Sequence, residues 1–168
     1  DVTNVSGADH IGDGRSVVLW DYNHDGLTDI ASVNTNAPKL VFYRNETDKI
    51  KTQKNNFLAL RLIGGNKMDS KSSHYSNRDG YGAKILLKGD GGSFDEEQRC
   101  GEGFSAQNSN TLIIGVGNES MVRSVTISWP SGQLTELPGL RPGNLVTVYE
   151  NSEDSPNRKS FTVESYVP

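Results

Sequence analysis

The sequence contains very little cysteine, few long apolar stretches and no excess of basic residues. Cys100 is the one cysteine of the 168 residues, so no disulfide can form within the chain. Such a cysteine is either a small buried side chain or pairs with a cysteine outside this sequence, and burial is the expectation. No stretch approaches the roughly 20 apolar residues that a membrane-spanning helix needs, so no membrane span is expected.

The charge balance is mildly acidic, with a net charge of -4. Proteins that bind nucleic acid normally carry a basic patch or stripe, so nucleic-acid binding is not expected here. The first residue is Asp1 rather than methionine, which favours a piece cut from a longer protein. Its cellular location therefore has to be inferred from motifs rather than from a leader segment.

No segment combines helix caps with an apolar period of 3.6 residues. Instead, short alternating apolar runs are separated by turn residues, including many of the 18 glycines. The predicted strands are 16–20, 30–34, 39–44, 57–63, 83–88, 94–100, 111–114, 125–129, 133–137, 144–149 and 161–167. We therefore predict an all-β chain. Residues 1–50 should form a calcium-loop meander resembling a propeller blade, residues 51–150 an antiparallel β-sandwich or barrel, and residues 151–168 a C-terminal tail with one extra strand.

The most informative stretch runs from Asp21 to Asp29, between the first two predicted strands. Oxygen-bearing side chains occupy alternate positions, and Gly26 stands where the chain must turn sharply. Calcium binds six to eight hard oxygen ligands, and one short loop can supply most of them. Carboxylates packed this closely repel one another without a cation, so metal binding and loop order should be coupled. The predicted Ca²⁺ ligands are Asp21, Asn23, Asp25, Leu27 through its carbonyl, and Asp29.

The loop has two alternative interpretations. An EF-hand needs a glutamate at position twelve and a helix on each side, whereas Ser32 stands at that position and the flanks are strand-like. A plain hairpin turn is also rich in Asp, Asn and Gly. A turn does not require oxygen side chains at alternating positions, so the pattern favours a metal loop.

Two groups of motifs resemble known families. The loop between strands is similar to the FG-GAP/VCBS repeat, the calcium-loop blade of integrin-like propellers. Further motifs lie at 43–45, 58–62, 77–83, 103–107, 114–117 and 129–132. In this order they resemble the ASPIC/UnbV domain, which follows such repeats in cartilage acidic protein and its bacterial relatives. The resemblance implies a secreted or cell-surface protein, extracellular or periplasmic if bacterial, with further propeller blades upstream.

The resemblance implies no catalytic residues, and none is expected from the sequence. His10, His24 and His74 all lie in predicted loops, without a serine elbow or a Cys/His pair. The first hypothesis is a non-catalytic, calcium-stabilised module that binds a protein or a glycan. The alternative is a carbohydrate-binding module that stacks sugars on exposed aromatic rings. Its candidate rings are Tyr75, Tyr81 and Phe104, although packing within the protein is the preferred interpretation of Tyr81 and Phe104.

Overall fold

The chain folds into three β-sheets in a computed structural model that describes residues 6–50, 55–67 and 71–167. The predicted all-β fold is confirmed. The strands are β1 (Gly14–Trp20), β2 (Asp29–Asn34), β3 (Leu40–Tyr43), β4 (Asn56–Ile63), β5 (Lys84–Lys88), β6 (Ser93–Glu97), β7 (Thr111–Gly117), β8 (Ser124–Ser128), β9 (Leu134–Leu137), β10 (Asn144–Tyr149) and β11 (Phe161–Ser165).

The first sheet is an antiparallel meander in the order β1-β2-β3. Its register pairs Val18 with Ala31 and Ala31 with Phe42, so these three side chains share one face. Leu19 and Ile30 form a pair on the opposite face. The hairpin between β1 and β2 consists of the candidate calcium loop, which therefore lies at one end of the meander.

The other two sheets have four strands each, in the orders β11-β10-β4-β7 and β6-β5-β8-β9. They face one another as a sandwich, and the alternative of a closed barrel is wrong. One pairing also departs from the predicted antiparallel pattern, because β10 runs parallel to β4. A parallel pair needs a long crossover connection, which is here supplied by all the strands between β4 and β10.

The sandwich core is built from the inward side chains of both four-stranded sheets. Leu58, Leu60 and Leu62 alternate along β4 and are almost completely buried. They contact side chains of the opposite sheet that include Ile85, Leu87, Val125, Ile127 and Trp129. The outer face of β4 is also buried, because Phe57 and Ala59 belong to a second apolar cluster with Leu145 and Tyr166. A strand buried on both faces indicates that something covers the sandwich from outside.

The meander lies against the sandwich, and a loop of the sandwich protects its edge strand. The backbone N–H of Leu19 in β1 donates to Asn108 Oδ1 at 2.9 Å, and the N–H of Ser109 donates to the Leu19 carbonyl at 3.1 Å. An unpaired edge strand exposes backbone groups to aggregation, so these bonds satisfy part of the edge of β1.

Two short helical turns lie between the strands. A single turn of helix, α1 (Thr47–Ile50), and a 3₁₀ turn at Ser152–Asp154 were not predicted, because both are too short to show a period.

Cys100 is exposed, so its expected burial is wrong; it follows β6 in a loop where Gly101 adopts a φ of 66°. Within the described residues, no helix has both the length and the apolar character to cross a membrane.

Candidate calcium site

The candidate site is the loop that leaves β1 at Trp20 and enters β2 at Asp29. Its first and last carboxylates are buried, with Asp21 6% exposed and Asp29 1% exposed. Burying an ionised carboxylate is costly unless hydrogen bonds or a cation compensate it. The partners of these two groups therefore determine how the loop is held.

Asp21 organises the turn of the loop. Its Oδ2 accepts the backbone N–H of Gly26 at 2.7 Å, and its Oδ1 accepts that of Asp25 at 3.2 Å. These bonds wrap the loop backbone around one carboxylate. Gly26 has a φ of 85°, a left-handed conformation that side chains other than glycine rarely adopt.

Asp29 connects the loop to both neighbouring segments. Its Oδ2 accepts the backbone N–H of Tyr22 at 3.1 Å, and its Oδ1 accepts that of Asn45 at 2.7 Å. The side-chain amide of Asn45 in turn donates to the Thr28 carbonyl at 3.1 Å. The end of the loop is thus tied to the chain that follows β3.

Asn23 and Asp25 face one another across the loop. Asn23 Nδ2 donates to Asp25 Oδ2 at 2.7 Å, which assigns the orientation of the amide and directs Oδ1 elsewhere. That oxygen, Asn23 Oδ1, is buried and has no hydrogen-bond partner in the part of the chain that the structure describes. Buried polar atoms are nearly always paired, so the lone pairs of this oxygen are open to a donor or a cation.

The donor set fits a calcium ion in its chemistry. Every predicted ligand offers a hard oxygen, and a carboxylate oxygen that accepts one N–H keeps a second lone pair. Among the described residues, no three side chains of the His, Cys, Asp and Glu types are grouped closely enough to hold a metal. A calcium ion here would therefore also need the amide oxygen of Asn23 and the carbonyl of Leu27, beside the carboxylates. Leu27 is half-buried, and its backbone N–H donates to Asp25 Oδ1 at 2.9 Å.

One basic side chain lies near these carboxylates. Arg44 approaches Asp25 Oδ2 to 3.9 Å through a guanidinium nitrogen, and both side chains remain partly exposed. The positive charge offsets part of the repulsion among the loop carboxylates. The same positive charge would weaken the binding of a metal cation beside Asp25.

The sandwich supplies contacts to the loop that the sequence did not indicate. A Cβ added to Gly26 would lie 2.0 Å from Phe57 Cε1, so the ring of Phe57 packs directly on the glycine backbone. The His24 ring stacks on the Tyr166 ring, with centroids 5.0 Å apart and planes at 17°. Burial, followed by the nearby Asp21 carboxylate, raises the pKa of Tyr166. Neither aromatic residue lies near the loop in sequence, so no spacing signal could have identified them.

The aromatic residues considered for sugar stacking are in different environments. Phe104 is 76% exposed, which contradicts its expected packing within the protein. It stands beside Ser105, which adopts a φ of 53° at the tip of a loop. Tyr81 is half-buried and its hydroxyl donates to Asn110 Oδ1 at 3.2 Å, while Tyr75 packs against Gly65. Only the ring of Phe104 among these three is presented to solvent.

Comparison with known families gives one match. Residues 73–155 match the family model described as ASPIC and UnbV. The matched segment includes strands β5 to β10, and it leaves the meander with its candidate calcium loop outside. The resemblance to this family is thereby confirmed for residues 73–155, whereas the resemblance of residues 1–50 to the FG-GAP/VCBS repeat stays a prediction. No curated protein sequence matches the chain.

Proposed function

We propose, on the premise that residues 73–155 form an ASPIC/UnbV domain, that the chain is a non-catalytic, calcium-binding module. It belongs to a larger, secreted or cell-surface protein that contains a β-propeller. Its role is to bind a protein or a glycan rather than to carry out chemistry. Calcium stabilises the meander and orders its hairpin loop.

The observation that carries the calcium proposal is the buried, unpaired Oδ1 of Asn23. It lies in a loop that also carries three carboxylates, those of Asp21, Asp25 and Asp29. A hard cation binds an oxygen lone pair that no hydrogen-bond donor occupies. The nearby carboxylates would balance the positive charge of the cation. A hairpin turn without metal would leave this atom with no partner from the described residues.

Five residues would hold the ion: Asp21, Asn23, Asp25 and Asp29 through side-chain oxygens, and Leu27 through its carbonyl. The bound ion would supply two positive charges against the three carboxylates of the loop. Because Asp21 follows β1 and Asp29 begins β2, their joint attachment would hold the two strand ends together. This is a structural role for the metal, which stabilises the fold without acting on a substrate.

The exposed apolar side chains of the meander support the proposal that neighbouring propeller blades pack against it in the same protein. One face exposes Val33, Leu40 and Phe42 by 48%, 64% and 42%, and the other exposes Val17 and Leu19 by 44% and 39%. A sheet that is apolar on both faces normally lies between two other layers. A blade of an FG-GAP/VCBS-like propeller, with a neighbouring blade upstream, would have such surroundings.

Isothermal titration calorimetry with calcium tests the metal site, with magnesium as the comparison ion. We expect saturable binding of calcium, much weaker binding of magnesium, and a large loss of affinity in Asn23→Ala. Asn23→Asp is the matched control, because it retains an oxygen ligand at the same place. The absence of calcium binding to the unsubstituted chain would overturn the proposal.

One observation favours glycan binding as the function of the module. The exposed ring of Phe104 borders a groove of about 270 Å³ whose lining also includes Arg15, Val17 and Ser32. Exposed aromatic rings provide apolar faces for stacking, and arginine offers several hydrogen-bond donors. A glycan array probed with the wild-type chain and with Phe104→Ala tests this function. Glycan signals that disappear in the variant would support it, and an array without signals would contradict it.

A further inference from the structure

The candidate calcium loop is seated on the sandwich by a small apolar cluster, which we call the seat. Phe57, Ala59, Leu145 and Tyr166 form this cluster on the outer face of β4 and its neighbours, with the half-buried Ile113 against it. Four of these residues come from β4, β7 and β10, and Tyr166 follows the last strand, β11. The seat therefore joins distant segments of the sandwich, including the C-terminal end of the described chain.

The first contact between loop and seat is the approach of Phe57 to Gly26. The space beside the Gly26 Cα is filled by the ring, because an added Cβ would meet three ring carbons at 2.0–2.5 Å. Gly26 is also the residue whose N–H is bound by Asp21. The ring thus fixes the position of the backbone turn on which the ligand Asp21 depends.

The second contact is made by Tyr166. Its ring stacks on His24 at 5.0 Å and meets Phe57 edge-on at 5.6 Å, with planes at 75°. Its backbone N–H donates to the Gly143 carbonyl at 3.2 Å, which anchors Tyr166 to the sandwich. Tyr166 is only 7% exposed, so its ring is held rigidly beneath the loop.

The loop backbone needs such support because two of its residues are in the left-handed region. His24 has a φ of 58° and Gly26 a φ of 85°. A non-glycine residue in this region costs free energy, and the surrounding structure has to compensate. Only His24 is strained, because glycine adopts this region freely, and the seat contacts both positions. They flank Asp25 on either side and follow Asn23, so the conformation of both ligands depends on them.

We infer that Phe57 and Tyr166 are positioning residues of the calcium site, so that calcium affinity depends on the sandwich and on the C-terminal segment. This inference rests on the proposed calcium-binding function. The seat holds the loop in its binding conformation before the ion arrives, which lowers the ordering cost of binding. By linkage, calcium in turn stabilises the docking of the meander on the sandwich.

Calorimetric calcium titrations of the wild type, His24→Asn, Tyr166→Phe and Tyr166→Ala test the inference. Asparagine tolerates a positive φ, so His24→Asn removes the stacked ring while keeping the backbone conformation accessible. We expect His24→Asn and Tyr166→Ala to weaken calcium binding by about three- to tenfold, the range of one aromatic pair. Tyr166→Phe retains the stacked ring but removes the hydroxyl that interacts with Asp21, so it should weaken binding less than Tyr166→Ala does. Val163→Ala, at an exposed position of β11, is the matched control with unchanged affinity.

The outcomes separate this inference from the calcium proposal itself. If the wild type binds calcium and both His24→Asn and Tyr166→Ala bind it equally well, the seat has no positioning role and the inference is overturned. If the wild type does not bind calcium, the calcium site is overturned and the inference falls with it. His24 is exposed, so His24→Asn should leave the sandwich folded even if Tyr166→Ala does not.

Discussion

Glu150 accepts two hydrogen bonds from Ser76, a residue 74 positions earlier in the chain. The Ser76 backbone N–H reaches Glu150 Oε2 at 2.7 Å, and the Ser76 hydroxyl reaches Oε1 at 2.8 Å. The Gly65 N–H and the Ser131 hydroxyl donate to the same carboxylate. One buried carboxylate therefore attaches two points of the long loop between β4 and β5, Gly65 and Ser76, and the turn at Ser131 to the residue that follows β10.

Glu150→Gln should destabilise the sandwich by about 2–3 kcal/mol. The substitution replaces one acceptor oxygen with an NH₂ group that faces donors, and hydrogen bonds to a charged acceptor are among the stronger ones. Urea unfolding measures the loss. Glu136→Gln, at an exposed position of β9, is the matched control and should change stability little. Equal stabilities for the two variants would show that the Glu150 network is not important for the fold.

Gly26→Ala should lower the free energy of unfolding by about 2–4 kcal/mol. The new Cβ collides with Phe57, and the residue must hold a φ of 85° that alanine resists. Gly115→Ala in β7 is the control, because nothing lies within 4 Å of its added Cβ. Thermal unfolding compares the two. A melting temperature for Gly26→Ala as high as that of the control would contradict the close contact between loop and sandwich.

Glu119 should make stability depend on pH in the acid range. Its carboxylate accepts the backbone N–H groups of Gly91 and Asp90, which lower its pKa below the ordinary 4.5. A lowered pKa in the folded state means that the contribution is fully present above pH 4.5 and is lost as the pH falls through the lowered value. Urea midpoints measured from neutral to acid pH should fall less steeply in Glu119→Gln than in the wild type. Parallel profiles would contradict this.

Arg44→Gln should strengthen calcium binding by about two- to fivefold. The guanidinium lies 3.9 Å from Asp25 Oδ2, so its charge opposes a cation bound beside that carboxylate. The effect is modest because both groups are partly exposed to water. Calorimetric titration at low and high salt measures it, and the gain should shrink as salt screens the charges. A weaker affinity in Arg44→Gln would mean that Arg44 supports the site.

Most of the strands could be predicted from the sequence because their patterns are local. The alternation of Leu58, Leu60 and Leu62 predicts the inner face of β4, and that of Val125 and Ile127 predicts β8. The parallel pairing of β10 with β4 could not be predicted, because nothing in the local pattern of a strand specifies its partner. The outer face of β4 was also missed, since Phe57 and Ala59 are buried by segments far away in the sequence.

The candidate site likewise combines a feature that is local in the sequence with contacts that depend on distant segments. The oxygen pattern of the loop, from Asp21 to Asp29, is local and was visible in the sequence. The support from Tyr166 is created only when β11 joins the sandwich at the other end of the chain. The exposure of Cys100 and Phe104 was missed for a related reason: burial depends on which segments lie opposite a side chain, and a loop residue has no period that reveals this.

The most direct test of the account is thermal unfolding in excess calcium and in a calcium chelator, for the wild type and Asp25→Ala. At a calcium concentration about 100 times the dissociation constant, binding should stabilise the wild type by about 2.7 kcal/mol. Asp25→Ala should lose this gain, whereas Asp95→Ala, which removes an exposed carboxylate on β6, should keep it. A calcium-dependent rise in melting temperature that only Asp25→Ala abolishes is the predicted result. An identical melting temperature for the wild type with and without calcium would contradict the account.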